Sequence, residues 1–151
     1  NLKATIVRPF NIIGENTPKS LFVCSIISQI IDNIKLKIDS PVYVGNINTF
    51  RDFIDINDVV KAYKSIMDSG LWGQTFNICS ENAIKIEKIL DIILSFPKEK
   101  ICYKINPDFV RKDDIIKVIG SNEKIRKIIG FENEVPLYDS LLSTWNYYLN
   151  K

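Results

Sequence analysis

The segment that most constrains the fold runs from Phe50 to Tyr63 and reads FRDFIDINDVVKAY. The β-branched and aromatic residues that follow Arg51 predict a short strand. Asp58 is then predicted to open a helix, because an aspartate at a helix start can accept a hydrogen bond from the first unpaired N–H groups. We interpret Asp55 and Asp58 as turn and capping residues and not as a catalytic acid/base pair. The segment predicts a strand that leads directly into a helix.

On both sides of this segment, strand and helix patterns continue to alternate. Thr17-Pro18 predicts a helix start, since a capping hydroxyl is followed by proline at the first helical position. The helix after Asp58 is predicted to bury Met67. Alternation of this kind is typical of an α/β protein. The predicted strands are 3–10, 42–45, 51–56, 75–78 and 101–105, with 42–45 and 51–56 forming a pair around a turn, and the predicted helices begin near 17, 58, 85, 121 and 137.

Two of the predicted strands, 3–10 and 75–78, are short and apolar on both faces. Strands of this type usually lie inside a parallel sheet that is covered on both sides. Neither has an obvious partner among the other strands of this chain. We therefore expect both to join a sheet that is completed by residues outside this chain.

The composition is that of one ordinary globular domain. The chain has 151 residues, of which 46% are hydrophobic and 25% charged, and its net charge is +2. This charge is too small to indicate a nucleic-acid partner. No apolar stretch approaches the about 20 residues that span a bilayer, and the first residues do not resemble a signal peptide. We expect one domain over 1–151, with no nucleic-acid or membrane partner and a cytoplasmic location.

Cysteine and histidine usage excludes several classes of site. Cys24, Cys79 and Cys102 are odd in number and widely separated, which indicates reduced, buried thiols and not a disulfide framework. The chain contains no histidine. This absence excludes a Ser-His-Asp triad, a Cys-His pair and most zinc sites. No metal site is predicted.

Four motifs follow one another in a particular order and spacing: Arg8-Pro9-Phe10-Asn11, the FRDFID stretch, Phe76-Asn77-Ile78-Cys79-Ser80 and Arg111-Lys112-Asp113-Asp114. Together they resemble the carboxy-terminal half of nucleotide-sugar epimerases and dehydratases, the extended short-chain dehydrogenase/reductase family. The resemblance is strongest to the branch of GDP-4-keto-6-deoxymannose reductases and GDP-mannose 4,6-dehydratases. It covers nearly the whole chain, whereas the chain covers about half of such an enzyme.

The hallmarks of the other half of that family are not found in this sequence. The six glycines do not form a glycine-rich dinucleotide turn. Tyr147 and Lys151 have the spacing of the family's catalytic tyrosine and lysine, but they lie at the chain end and not before the 3–10 strand. The resemblance implies an α/β fold that is the end portion of a Rossmann-type sheet, with 1–14 and 74–80 as its strands. A small substrate-binding α/β subdomain follows, and the amino-terminal dinucleotide-binding half is lacking. No catalytic residue is expected here, and the chain alone should be inert.

Arg51 and Arg111 are the first candidate site residues. A nucleotide sugar carries a diphosphate, and a planar guanidinium can bond two of its oxygens at once. The resemblance implies that these two arginines grip the diphosphate. The alternative for Arg51 is a surface arginine paired with Asp52 or Asp55.

Further candidates also follow from the resemblance. Asn11 is expected to face the substrate, or else to form an ordinary Asx turn. Asp114 is expected to bind ribose hydroxyls. Asn46, in a Gly-Asn turn that borders the guanine base in the resembled branch, favours a GDP-sugar. Lys19 reaches the nucleotide or is simply solvated, and two further residues, Pro9 and Phe10, are expected near the nicotinamide.

We therefore expect the substrate-binding half of an NAD(P)-dependent nucleotide-sugar reductase, epimerase or dehydratase, acting on a GDP-linked deoxyhexose. NAD or NADP would be bound mainly by the half not present. The chain would form a homo-oligomer or pair with that half. Two alternatives are a non-catalytic nucleotide-sugar-binding or subunit-pairing module and a purely structural α/β domain.

Overall fold

Strands and helices alternate along the chain in the computed structural model, which describes residues 2–151, so the predicted α/β class is confirmed. Residue 1, which opens the predicted domain 1–151 and the predicted Rossmann segment 1–14, lies outside the described residues. The strands are β1 (Ile6–Pro9), β2 (Asn11–Ile13), β3 (Val42–Val44), β4 (Phe50–Asp55), β5 (Thr75–Ile78), β6 (Ala83–Lys85), β7 (Tyr103–Ile105) and β8 (Lys117–Val118). The helices are α1 (Phe22–Leu36), α2 (Ile56–Asp68), α3 (Ile86–Leu94), α4 (Glu123–Ile129) and α5 (Leu137–Leu149), with a 3-10 turn at Pro107–Phe109.

One extended segment, β1 followed by β2, changes its partner at Phe10. Before this residue, β1 runs parallel to β5, with Pro9 opposite Ile78. After it, β2 runs parallel to β4, with Asn11 opposite Phe53. Phe10 itself donates its backbone N–H to the Ile78 carbonyl at 2.9 Å. The segment therefore joins two separate sheets, and its partner change lies at the carboxyl end of β1.

Strand β4 pairs with each of the other three strands of the largest sheet. Its first half pairs antiparallel with β6 and parallel with β8, and its second half pairs with β2. A third, two-stranded parallel sheet joins β3 and β7. Arg51 and Asp52 thus lie in the most heavily paired part of the molecule.

Two clusters of buried apolar side chains support these sheets. The larger one packs α1, α3 and α5 with β3, and Ile27, Ile30, Ile89 and Leu141 are among its fully buried members. The smaller one packs α2 and α4 against β4 and β5 through Ile54, Val59, Phe76, Ile78 and Ile125. Strand β4 contributes Phe53 to the first cluster and Ile54 to the second, so it connects them.

Two predicted helix starts are wrong, one by two residues and the other by about five. The second helix begins at Ile56, because Asp55 and not Asp58 accepts the capping hydrogen bond, from the Asn57 N–H at 2.7 Å. The first helix begins at Phe22 and not near Thr17. The Thr17 hydroxyl donates to the Gly14 carbonyl at 2.7 Å, so it closes a turn instead of capping a helix.

Four other expectations are also corrected. Strands 3–10 and 75–78 do have local partners, since they pair with each other as β1 and β5. Strands 42–45 and 51–56 do not pair with each other; β3 pairs with β7. Met67 is 68% exposed, because it lies about 100° around α2 from the buried Ile66, outside the face that packs on the core. Cys102 is exposed, unlike Cys24 and Cys79.

The packing of α5 provides a stability test. Leu141 is fully buried in the larger cluster, whereas Leu149 on the same helix is 41% exposed. We expect Leu141→Ala to lower the free energy of unfolding by about 2–5 kcal/mol, since it leaves a cavity that the surroundings fill only in part. Leu149→Ala is the matched control and should cost clearly less. Equal losses of stability in denaturant titrations of the two variants would contradict this packing.

Candidate functional site

The carboxylate of Asp52 holds three separate segments together. Asp52 is fully buried. Its Oδ1 accepts hydrogen bonds from the Ser80 N–H at 2.8 Å and the Ser80 hydroxyl at 2.7 Å. Its Oδ2 accepts from the N–H groups of Glu81 and Gly120, both at 3.1 Å. A buried charge with four donors is well compensated, so this clamp fixes where β4, the turn after β5 and the segment before α4 meet.

Asn11 is hydrogen-bonded to the same residue of β4, Asp52. Its Nδ2 donates to the backbone carbonyl of Asp52 at 2.6 Å, so the predicted alternative of a local Asx turn is not what the structure contains. Asn11 is exposed. This bond to the strand turns its amide to a defined position beside β4.

Pro9 and Phe10 lie where β1 ends, next to the clamp. Phe10 packs closely against the Gly120 backbone, since a Cβ on Gly120 would come within 2.6 Å of both the Phe10 ring and the Cys79 sulfur. Residue 120 must therefore be glycine for this contact to form. The carboxyl ends of parallel strands are the usual place for ligands on sheets of this kind.

Arg51 forms an internal ion pair with another predicted site residue. Its Nη2 lies 2.7 Å from Asp114 Oδ1, and its Nη1 donates to the carbonyls of Ile115 at 2.7 Å and Phe50 at 2.9 Å. Asp52 and Asp55, the partners that the sequence suggested as an alternative, do not pair with it. The side chains of Arg51 and Asp114 are 20% and 18% exposed, so the pair is accessible from solvent. Three of the five guanidinium N–H donors are used, which leaves two for a ligand.

Arg111 is carried by the segment that contains Asp114. It is exposed, and its side chain forms no ion pair within residues 2–151. Three residues of extended chain span at most about 11 Å, so Arg111 stays near the Arg51–Asp114 pair.

The turn that contains Asn46 packs against the segment that leads to Arg111. A Cβ on Gly45 would stand 2.6 Å from the Phe109 carbonyl oxygen, so the turn packs directly on the backbone of the 3-10 turn that precedes Arg111. Asn46 Oδ1 accepts a hydrogen bond from the Asn48 N–H at 3.0 Å, which fixes the turn.

Lys19 is not part of this group. It is exposed in the loop between β2 and α1, and in the described part of the chain its side chain contacts neither Arg51 nor Asp114 through a hydrogen bond or ion pair. The loop is held to α5 by the Tyr148 hydroxyl, which donates to the Thr17 carbonyl.

Sequence reasoning missed the central role of Asp52, Ser80 and Gly120. The available signal was an aspartate in the middle of a predicted strand, directly before the apolar Phe53 and Ile54, where a carboxylate is costly to bury without partners. Its partners lie 28 to 68 residues away, so only the fold reveals them.

Burial controls the titration of two groups next to the site and the core. Desolvation raises the pKa of the Cys79 thiol to about 11, and the nearby carboxylates of Asp52 and Glu81 add to the effect. Burial also raises the pKa of Tyr148 to about 12. Both groups are therefore neutral at pH 7.

Residues 2–151 lack two kinds of structural feature. None of the helices there is long and apolar enough to cross a membrane. The same residues contain no cluster of three or more His, Cys, Asp or Glu side chains placed to hold a metal ion.

Comparison with known sequences identifies the family. The profile of the NAD dependent epimerase/dehydratase family matches residues 1–79. This match covers more than half of the 151 residues. The chain belongs to this family.

Individual relatives agree with that assignment. The chain is 27% identical over 146 residues to the GDP-6-deoxy-D-mannose reductase of Pseudomonas aeruginosa, covering 95% of this chain and 48% of the relative. It is 29% identical over 126 residues to the GDP-6-deoxy-D-talose 4-dehydrogenase of Aggregatibacter actinomycetemcomitans, covering 83% of this chain and 41% of the relative. The chain thus spans less than half the length of these curated relatives.

A solved structure supports the same fold. RMD from Pseudomonas aeruginosa, solved in complex with NADPH, superposes with a TM-score of 0.85 at 25% identity, over 97% of this chain and 48% of that one. The resemblance inferred from the four motifs is therefore confirmed at the level of family and fold.

The buried thiol beside the site gives a pH-dependent prediction. Between pH 9 and about 11 the unfolded chain loses the Cys79 proton while the folded chain keeps it. The free energy of unfolding should fall as pH rises through this range, with this group contributing at most about 1.4 kcal/mol per pH unit.

Denaturant titrations from pH 8 to 11 would measure this slope. Cys79→Ala should make the slope less steep, most clearly between pH 9 and 10, and Cys102→Ala, which removes an exposed thiol, should leave it unchanged. The same slope in Cys79→Ala and wild type would show that Cys79 titrates normally.

Proposed function

We propose that this chain is the substrate-binding part of an NAD(P)-dependent nucleotide-sugar reductase, epimerase or dehydratase, with a GDP-linked deoxyhexose as its substrate. The observation that carries the proposal is the contact between Arg51 and Asp114 across 63 residues of sequence. Membership of the epimerase/dehydratase family and similarity to two enzymes named for GDP-6-deoxyhexoses support it. It assigns to these residues the task of holding the nucleotide.

In this proposal the diphosphate replaces a carboxylate on Arg51. The Asp114 carboxylate occupies Nη2 of the guanidinium, in the position that a phosphate oxygen would take. A diphosphate carries more charge than one carboxylate and can bond two N–H groups at once. It therefore competes effectively for the N–H groups of the Arg51 guanidinium. The displaced Asp114 is then available to accept hydrogen bonds from ribose hydroxyls.

The other candidate residues complete the nucleotide site. Arg111 supplies a second guanidinium to the diphosphate from the segment that carries Asp114. Asn46 borders the base through the turn that packs on Phe109. Asn11, held by the Asp52 carbonyl, faces the sugar. Lys19 reaches the nucleotide only by its long side chain, since its loop is separate from the clamp.

We further propose that residues 1–151 act as one unit, with 1–14 and 74–80 belonging to a Rossmann sheet completed by the rest of the enzyme. Strand β1 pairs with β5 along one edge, and its Ile6 side chain is 58% exposed in the described chain. An unpaired strand edge with exposed apolar side chains is normally covered by another strand. The same completion can come from a homo-oligomer partner or from a separate chain.

The cofactor site in this proposal lies mainly outside the chain. NAD or NADP, when bound, supplies or accepts the hydride. Pro9 and Phe10 border the nicotinamide, because they lie at the carboxyl end of β1 beside the clamp. The chain by itself binds nucleotide without turnover, and a cytoplasmic location suits that role.

A titration with GDP tests the proposal. Arg51→Gln removes the charge and shortens the side chain, and it leaves a neutral amide that can still donate hydrogen bonds. We expect it to weaken GDP binding by at least about 30-fold in isothermal titration calorimetry, the lower end of the range for losing a buried charge partner. UDP should bind more weakly than GDP to the wild-type chain.

Arg126→Gln is the matched control. Arg126 forms a comparable ion pair with Glu81 at 2.8 Å and is 50% exposed. GDP affinity should change by less than about threefold in this variant, in line with the small contribution of exposed pairs. Equal affinities in Arg51→Gln and wild type, or no binding of either nucleotide to the wild-type chain, would refute the proposed site.

A further inference from the structure

Residue 81 has a backbone conformation that glutamate rarely adopts. Its φ is 59°, in the left-handed region. Two other non-glycine residues of the described chain have a positive φ, Asn16 and Lys37. Asparagine tolerates this region, and Lys37 ends α1, where a left-handed residue is common. Neither reason applies to Glu81, which lies in the turn between β5 and β6, so its surroundings must hold this conformation.

On its amino side, residue 81 is anchored to the clamp. The Glu81 N–H donates to Asp52 Oδ2 at 3.1 Å. The preceding Ser80 donates its N–H and its hydroxyl to Asp52 Oδ1, at 2.8 and 2.7 Å. Residues 80 and 81 thus supply three of the four hydrogen bonds that the Asp52 carboxylate accepts.

On its other side, residue 81 is anchored to the start of α4 through its carboxylate. Oε1 accepts from the Asn122 N–H at 2.9 Å and from the Ser121 hydroxyl at 3.0 Å. Oε2 accepts from Arg126 at 2.8 Å, but Arg126 is 50% exposed, so this ion pair contributes little. The two bonds to residues 121 and 122 are therefore the main anchor.

The two anchors together fix φ. This angle is the rotation about the N–Cα bond, which separates the Glu81 N–H on Asp52 from the side chain on α4. Desolvation raises the pKa of Glu81, but hydrogen bonds from Asn122, Ser121 and Arg126 outweigh it and lower the pKa below its ordinary value. The carboxylate is therefore ionised at pH 7, and bonds to a charged acceptor are stronger than neutral ones.

We propose that Glu81 is a positioning residue of the proposed nucleotide site. Its carboxylate, bonded to the start of α4, holds the turn after β5 in the left-handed conformation that keeps Ser80 and the Glu81 N–H on Asp52. Arg51 directly precedes Asp52, and Asn11 donates to the Asp52 carbonyl, so the placement of both depends on this turn. The effect on nucleotide binding rests on the proposed function, whereas the effect on the clamp does not.

Amide hydrogen exchange, followed by NMR without nucleotide, tests the effect on the clamp. The Ser80 and Gly120 amides donate to Asp52, so their exchange reports opening of the clamp. Glu81→Ala removes the carboxylate but keeps the strain of a left-handed non-glycine residue. Both amides should exchange at least about fivefold faster, the change that corresponds to a loss of about 1 kcal/mol of hydrogen bonding.

Glu81→Gly separates positioning from a general loss of contacts. Glycine also lacks the carboxylate, but it adopts the left-handed conformation without strain. The two amides should therefore exchange about threefold or more slowly in Glu81→Gly than in Glu81→Ala. Glu123→Ala is the matched control, because Glu123 lies in the first turn of α4, pairs with Lys127 and is 59% exposed. Exchange in this variant should stay within about twofold of wild type.

Either of two results would overturn the inference. Unchanged exchange in Glu81→Ala would show that another contact holds the turn, namely the bond from Asn122 Nδ2 to the Cys79 carbonyl at 3.1 Å. Equally fast exchange in Glu81→Gly and Glu81→Ala would show that the carboxylate does not act by holding the left-handed conformation.

A GDP titration of the same variants tests the effect on the site. Glu81→Ala should weaken GDP binding by at least about threefold, and Glu81→Gly should recover part of the loss. Wild-type affinity in Glu81→Ala, with faster exchange, would contradict the role in positioning Arg51 and Asn11. If the wild-type chain binds no GDP, the proposed function fails, and the exchange rates alone decide whether Glu81 holds the clamp.

Discussion

The buried carboxylate of Asp52 is the interaction on which the rest of the site depends. It lies in a strand, fully removed from solvent, and each of its oxygens accepts two hydrogen bonds. A hydrogen bond to a charged group typically contributes about 1.5–3 kcal/mol, so these bonds are not easily exchanged. Arg51 is the residue directly before Asp52 in the strand, and Asn11 donates to the Asp52 carbonyl, so this carboxylate fixes the position of both residues.

The clamp lies on β4, the strand that connects the two apolar clusters, beside the point where neighbouring strands separate. The segment formed by β1 and β2 changes partner at Phe10, and the backbone beyond this point is no longer paired with β5. Places where neighbouring strands part are the usual ligand sites of α/β sheets. Glycine is needed at 45 and 120, because in each case another part of the chain approaches within 2.6 Å of where a Cβ would be. Tight backbone contacts thus bring distant segments to one edge of β4.

Much of the fold could be predicted from local pattern, and the failures have physical causes. The apolar runs at 75–78 and the periodic run from Leu137 to Leu149 were placed correctly. Strands β2, β6 and β8 were not predicted, because two or three residues carry no readable periodicity and pair only through contact with β4. For the site, the resemblance selected Arg51 and Asp114, whereas their mutual ion pair and the Asp52 clamp required the fold. Local sequence cannot reveal pairings between residues 63 and 68 positions apart.

In the proposed function, a nucleotide diphosphate takes the place of Asp114 on the Arg51 guanidinium. A crystal structure of the chain with GDP measures this directly. Without ligand, Arg51 Nη2 lies 2.7 Å from Asp114 Oδ1. With GDP, a phosphate oxygen should lie at hydrogen-bond distance from Arg51, and the Asp114 carboxylate should face the ribose. An unchanged Arg51–Asp114 pair with the nucleotide bound elsewhere would contradict the account.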